Sequence, residues 1–151
     1  PGGGLVFLIS GGLTYEMAPL TWSGGASDPT IAWCDDTSTS ITGATDTAVG
    51  AGSANTTAML AVCTSGAAVS ARAYAGGGQT DWFLPSKDEL NEMYLYQGSI
   101  VDTATYGFVG AYYWTSSQVN ADDAWSQFFG AGQQESRDKG FGDYVRPIRA
   151  F

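Results

Sequence analysis

The sequence of 151 residues contains no histidine, and it has only six lysines and arginines against fifteen aspartates and glutamates. Without an imidazole, the chain lacks the usual general base of serine and cysteine triads and the commonest side-chain ligand of zinc and haem. The formal net charge of −9 argues against duplex nucleic acid or an anionic membrane as a partner. The composition therefore disfavours most enzyme classes and any diffuse phosphate-binding role.

Long hydrophobic runs are also missing. The longest aliphatic run covers residues 5–9, whereas a membrane-spanning helix needs about 18 apolar residues, so we expect no membrane-spanning segment. The sequence opens at Pro1 without an initiator methionine, and we expect a processed product or an excised C-terminal part of a longer protein. The 21 glycines and 13% aromatic residues predict a turn-rich, sheet-containing fold that forms one domain over residues 1–151.

The two cysteines, Cys34 and Cys63, allow a single intramolecular pairing or two buried free thiols. The scarcity of lysine and the abundance of glycine, serine and threonine favour the disulfide, which would stabilise the fold by roughly 3.5 kcal/mol in the chain-entropy account. A disulfide predicts an oxidising compartment, outside the cell.

The first half of the chain alternates short apolar segments with glycine-rich stretches. The apolar residues 5–9 predict a central strand, and residues 15–18 predict its hairpin return. Residues 22–52 are rich in glycine, serine, threonine and aspartate and predict a long ordered loop. Short helices are expected over residues 53–64 and 67–75.

Asn55 has two interpretations. With Ser53, it is a candidate N-cap of the first helix, and it also begins a glycosylation sequon. The capping role is favoured over the sugar.

The second half of the chain predicts one well-defined helix followed by strands. Ser86 and Glu89 form a capping box, which predicts a helix over residues 87–96 and explains the acidic first turn without catalysis. Apolar and polar residues alternate over residues 111–117 and 124–129, which predicts two strands. A last strand over residues 144–151 contains Pro147 and is therefore expected at an edge or a bulge. Helices in the middle and strands at the end predict an α+β fold.

Several motifs together resemble the C-terminal domain of the Legionella collagen-like adhesin, and the resemblance extends over essentially the whole chain. It implies a loop-rich, C-type-lectin-like fold, related to formylglycine-generating enzymes, in which short helices pack on a small antiparallel sheet. The motifs that carry it are Gly-Gly-Gly-Leu-Val-Phe at residues 2–7, the Thr-Asp-Trp-Phe-Leu-Pro-Ser helix entry from residue 80, Tyr-Trp-Thr-Ser-Ser at residues 113–117, Ala-Trp at residues 124–125 and Tyr-Val-Arg-Pro-Ile-Arg at residues 144–149.

The resemblance also implies a function. It predicts a non-catalytic recognition or adhesion module at the cell surface or, in phage relatives, at the virion surface, which binds a glycan or a host-cell receptor. Homotrimers are expected where a collagen-like stalk is present, although no Gly-X-Y repeat occurs in this chain. A structural subunit of a surface fibre, phage tail fibre or capsid decoration is a second interpretation. The third, an oxidase like the formylglycine-generating enzymes, would need reactive cysteines.

The candidate ligand face lies in the C-terminal loops. Indole rings stack on the apolar side of a pyranose, and amides, carboxylates and guanidinium groups recognise hydroxyls. Core packing is the alternative for both tryptophans and is favoured over ligand binding. The candidates are Trp114, Gln118, Asn120, Asp122, Asp123, Trp125, Gln133, Gln134 and Arg137.

No cofactor is expected, with calcium as the alternative at the acidic residues Asp122, Asp123, Glu135 and Asp138. Their spacing matches no EF-hand loop, and the sequence lacks the Glu-Pro-Asn and Gln-Pro-Asp triplets of calcium-dependent lectins. A solvated acidic loop is therefore favoured.

Four of the six basic residues lie close together near the C-terminus, where a polyanionic ligand would have to bind. They are Arg137, Lys139, Arg146 and Arg149. Arg146 and Arg149 are expected on opposite sides of an extended strand, one holding a buried carboxylate such as Asp81 or Asp143 and the other facing solvent.

Overall fold

The computed structural model describes residues 2–151, and Pro1 lies outside the described residues. Strands and α-helices follow one another along this part of the chain as β1 (Leu5–Ser10), β2 (Leu13–Met17), β3 (Thr30–Ile31), α1 (Gly52–Leu60), α2 (Ala67–Ala73), α3 (Lys87–Tyr96), α4 (Thr103–Tyr106), β4 (Tyr112–Gln118), β5 (Asp123–Phe128), β6 (Gln134–Asp138), β7 (Asp143–Tyr144) and β8 (Ile148–Ala150). The predicted α+β class is confirmed, while the C-type-lectin-like architecture stays a prediction.

The first sheet has three antiparallel strands in the order β1-β2-β8. The hairpin of β1 and β2 is confirmed, but the prediction that β1 is central is wrong. The C-terminal strand β8 pairs with β2, so β2 is the central strand and β1 lies at the edge. The apolar sequence of β1 does not reflect burial on both faces, since the side chain of Ile9 is 75% exposed.

The second sheet has five strands in the order β3-β7-β4-β5-β6, antiparallel except for the contact of β4 with β7. Residues 133–138, which we expected in a loop, contain the edge strand β6. The predicted last strand is divided into β7 and β8, with Pro147 between them, and β8 lies at the edge of its sheet as the proline indicates.

The helix α3 begins and ends at the residues that the capping box predicts. The Ser86 hydroxyl accepts a hydrogen bond from the Glu89 backbone N–H, and the Glu89 carboxylate accepts one from the Ser86 N–H. The prediction for α1 is wrong in its N-cap, because the helix begins at Gly52, ahead of both Ser53 and Asn55. Asn55 is instead buried within the helix, where its amide donates to the Asp46 carbonyl.

The core consists of two apolar clusters, one beside each sheet. One contains Trp33, Trp114 and Met59 together with both cysteines. The other contains Phe7, Tyr15 and residues of α3, β4 and β8. The predicted disulfide between Cys34 and Cys63 is confirmed, with the two Cα atoms 5.3 Å apart. It joins the long loop before α1 to the segment that follows this helix.

Candidate functional site

Three of the four clustered basic residues are buried. Arg146 forms a bidentate ion pair with Asp28, with both N–O distances 2.6 Å, and donates to backbone carbonyls that include those of Ala18 and Gly107. Arg149 contacts Asp81 at 2.5 Å and Glu16 at 3.2 Å. The expectation that one of these two arginines faces solvent is therefore wrong, since Asp28 pairs with Arg146 while Glu16 and Asp81 pair with Arg149.

The side chain of Lys139 is also buried, and it acts as a bridge between two loops. Its Nζ donates to the carbonyl oxygens of Thr39 and Ala121 at 2.9 and 2.5 Å and to Gln118 Oε1 at 3.3 Å. Burial lowers the pKa of the Lys139 ammonium. With Lys139, Arg146 and Arg149 engaged in this way, the C-terminal basic residues do not form an exposed cationic patch.

The turn between β4 and β5 is held by its own side chains. Asn120 accepts hydrogen bonds from the backbone N–H groups of Asp122 and Asp123 and donates to the Asp123 carboxylate at 3.1 Å. Gln118 is buried, and its amide bonds to both backbone groups of Ile41. Of these candidate residues, Asn120 and Asp122 are exposed, and Asp123 is half-buried.

The two candidate tryptophans lie in different environments. Trp114 is fully buried in the core, and its indole N–H donates to the Ile31 carbonyl. Trp125 is half-buried on the face of β5 that packs against α3, and the Lys87 ammonium lies 3.9 Å from its ring centroid. Trp114 therefore offers no open ring face for stacking on a sugar, whereas Trp125 is partly exposed with Lys87 over one face of its ring.

The remaining candidates lie on or beside β6. Gln133 is exposed, whereas the Gln134 amide donates to the Lys87 carbonyl at 3.0 Å. Arg137 is partly exposed and lies on the opposite face of the sheet from Trp125, because it pairs with Ala124 of β5.

Arg137 is the centre of an exposed cluster that we call the aromatic–arginine face. Its guanidinium carbon lies 4.1 Å from the ring centroid of Tyr112 and 5.0 Å from that of Phe141, which is 52% exposed. The Tyr112 ring contacts that of Phe128 at a centroid distance of 5.1 Å, and its hydroxyl donates to Glu135 at 2.9 Å. The aromatic–arginine face consists of Tyr112, Phe128, Glu135, Arg137 and Phe141.

The charge of Arg137 is balanced from beneath by Asp143. Arg137 Nε and Nη2 donate to the two carboxylate oxygens of Asp143 at 2.8 and 2.9 Å, and Asp143 also accepts from the Ser126 hydroxyl. The hydrogen bond to Asp143 raises the pKa of Arg137, so the guanidinium stays charged. Because the pair uses two of the five N–H donors of the side chain, donors remain for a hydroxyl group at the surface.

Sequence reasoning identified Arg137 but missed three aromatic members of this face, Tyr112, Phe128 and Phe141. Alternation along β4 places Tyr112 on the same face as the buried Trp114, and the sequence does not show where that face opens to solvent. The sequence does contain one indication of an exposed aromatic residue here, because Phe141 lies between Gly140 and Gly142 in a tight turn. A large apolar side chain in such a turn has little to pack against locally.

The acidic residues that we considered as calcium ligands do not converge. Within residues 2–151, the group of three close metal-ligating side chains consists of Cys34, Asp35 and Cys63, and both of its sulfurs belong to the disulfide. The Asp123 carboxylate accepts a hydrogen bond from the Asn120 amide, and the Glu135 carboxylate accepts one from the Tyr112 hydroxyl.

No helix within residues 2–151 is long and apolar enough to cross a membrane.

The fold and this face define a small disulfide-bonded α+β protein with an exposed aromatic surface on one sheet. The family model of the Lcl C-terminal domain matches residues 16–149. The chain therefore belongs to the Lcl C-terminal domain family, which confirms the resemblance drawn from the motifs and favours an adhesin-like surface module. A search of curated proteins finds no match.

Proposed function

We propose that the protein is a non-catalytic adhesion module that binds a glycan outside the cell through the aromatic–arginine face. The observation that carries the proposal is the position of the partly exposed Arg137 between the rings of Tyr112 and Phe141. Arg146 and Arg149 are buried and form ion pairs inside the fold, whereas Arg137 is partly exposed among aromatic rings.

The chemistry of the face suits a saccharide. Aromatic rings stack on the apolar side of a pyranose, while the Glu135 carboxylate and the free guanidinium donors bond to its hydroxyls. Asp143 balances the charge of Arg137, and Glu135 adds a negative charge, so the face carries no excess of positive charge. We therefore expect neutral glycans to bind better than sulfated or sialylated ones.

A glycan array tests this proposal with three variants. Phe141→Ala removes the most exposed ring, and Arg137→Gln removes the guanidinium, so each is expected to reduce the array signal at least tenfold. Leu95→Ala is the matched control, because Leu95 is an exposed apolar residue on α3 and away from the face. The melting temperatures of Phe141→Ala and Leu95→Ala should stay close to that of the wild type, and that of Arg137→Gln should fall by only a few degrees, because its ion pair with Asp143 is lost.

Two results of the glycan array would count against the proposed site. A wild-type signal that survives both substitutions in the face would place the binding site elsewhere. The absence of any glycan signal, with a folded chain, would contradict the proposal.

A structural subunit of a surface fibre is a second candidate, which the edge strand β1 favours. Its outer side has no paired strand among the described residues, and apolar side chains are exposed along the β1–β2 hairpin at Val6, Ile9 and Leu13. Self-association in sedimentation velocity, abolished by Ile9→Lys, would support this candidate and would also detect a homotrimer. A monomer at all concentrations would argue against it.

A further inference from the structure

A cavity lies beside the three-stranded sheet and takes no part in the proposed function. It has a volume of about 280 Å³ and is lined by side chains that include Leu13, Tyr15, Phe83, Asp81 and Glu89. At about 30 Å³ per water molecule, this space corresponds to about nine waters, which is enough for a small organic group.

The floor of the cavity contains a tyrosine hydroxyl that bonds to no protein atom within residues 2–151. Tyr15 is only 2% exposed, and its hydroxyl points at the backbone of Gly50, where a Cβ atom would lie 3.7 Å away. The hydroxyls of Tyr106, Tyr112 and Tyr113 each bond to a protein atom, whereas that of Tyr15 bonds to none within residues 2–151. Because Tyr15 lines the cavity, this hydroxyl is free to bond to a water molecule or to a ligand there.

The charged side chains that line the cavity are two carboxylates, and one of them, Asp81, is paired with Arg149. Glu89 is buried beside Tyr15, and its oxygens accept from the backbone N–H groups of Gly50 and Ser86 at 2.9 and 2.7 Å. Asp81 lies at the rim and is about half exposed. No lysine or arginine lines the cavity, and the nearby Arg149 is divided between Asp81 and Glu16.

We propose that this cavity binds an alkylammonium group, such as the end of a lysine side chain. The Tyr15 hydroxyl accepts a hydrogen bond from the ammonium, and the neighbouring Glu89 carboxylate balances its charge. Phe83 and Leu13 form the apolar wall for the alkyl part, and the aromatic rings favour a cation. A neutral alcohol would gain the apolar contact without the charge, and a carboxylate would be repelled.

NMR titration of the ¹⁵N-labelled chain with three probes of equal length tests the inference. n-Butylammonium chloride should give saturable shifts at the backbone amides of Gly50, Ser53 and Glu89. n-Butanol should bind at least tenfold more weakly, and sodium butyrate should not bind. The Tyr15→Phe variant keeps the ring and should weaken butylammonium binding about tenfold, as expected for a lost hydrogen bond to a charged group.

Two further variants control for folding. Tyr15→Phe should unfold at the same urea concentration as the wild type, because its hydroxyl has no protein partner. Tyr113→Phe should be destabilised, because that hydroxyl donates to Asp28 and accepts from the Val109 N–H. Ser53→Lys places an ammonium at the exposed mouth and should also weaken binding, whether or not Tyr15→Phe folds.

Equal binding of butanol and butylammonium would overturn the inference, as would the absence of saturable shifts. Unchanged binding in Ser53→Lys would also overturn it, as would unchanged binding in a folded Tyr15→Phe variant. None of these results bears on the glycan proposal, because the two sites lie on different sheets.

Discussion

Arg146 and Arg137 each form a bidentate ion pair with an aspartate, and they lie only nine positions apart in the sequence. The side chains of Arg146 and Asp28 are fully buried, whereas the side chain of Arg137 is 24% exposed. The core pair also fixes the loop after α4, since Arg146 donates to the carbonyls of Tyr106 and Gly107. The same chemistry therefore secures the fold in one region and holds a guanidinium at the surface in the other.

Removal of the buried guanidinium should have the largest effect on stability. Arg146→Met leaves Asp28 buried without its counter-ion, and we expect the free energy of unfolding to fall by about 3–5 kcal/mol. Arg137→Met should cost about 1 kcal/mol, because that pair is partly hydrated and Ser126 still donates to Asp143. Urea unfolding measures both values, and equal losses would refute the distinction between the two pairs.

A double variant sharpens the same comparison. Arg146→Met combined with Asp28→Leu removes both buried charges, so it should be more stable than Arg146→Met alone, by about 1–3 kcal/mol. If the double variant is less stable than the single one, the ion pair is not the main contribution of Arg146.

The third buried cation, Lys139, should have an intermediate effect. Lys139→Met leaves the carbonyls of Thr39 and Ala121 without their donor, and we expect a loss of about 1–3 kcal/mol. Hydrogen exchange should accelerate in the β4–β5 turn, where Ala121 lies. Lys87→Met, at a half-buried position over Trp125, is the matched control and should change stability by less than about 0.5 kcal/mol. An equal effect of the two substitutions would show that Lys139 does not tie the loops together.

The smallest effect concerns an exposed carboxylate and depends on pH. Hydrogen bonds from the Thr64 hydroxyl and the Ser65 N–H lower the pKa of Asp35 to about 2. The folded pKa lies below the unfolded one, so this stabilisation is present above about pH 4 and is lost as the pH falls through 2. The melting temperature of Asp35→Asn should therefore lie below that of the wild type at pH 6 and approach it at pH 2. A constant difference at all pH values would contradict this assignment.

Local interactions made parts of the fold predictable from the sequence. The capping box of Ser86 and Glu89 lies within four residues and defines the start of α3. The two cysteines admitted one pairing. In contrast, the pairing of β8 with β2, which makes β1 an edge strand, depends on residues more than 130 positions apart. No local pattern carries that information.

The candidate site was predicted only in part for the same reason. Arg137 was identified from its chemistry, but its distinction from Arg146 depends on Asp28, which lies 118 residues away from Arg146. Alternation along β4 shows that Tyr112 and Trp114 share a face, but not that the face is covered at Trp114 and open at Tyr112. Tertiary contacts of the loop before α1, such as that of Ile31 with Trp114, decide this difference.

The most direct test of the glycan-binding face is an NMR titration of the ¹⁵N-labelled chain with the neutral glycan that gives the strongest array signal. The proposal predicts saturable shifts at the backbone amides of Tyr112, Phe128, Glu135, Arg137 and Phe141, together with the Arg137 Nε–H resonance. Shifts confined to the β1–β2 hairpin or to the cavity at Tyr15, with the β4–β5–β6 surface unchanged, would contradict it.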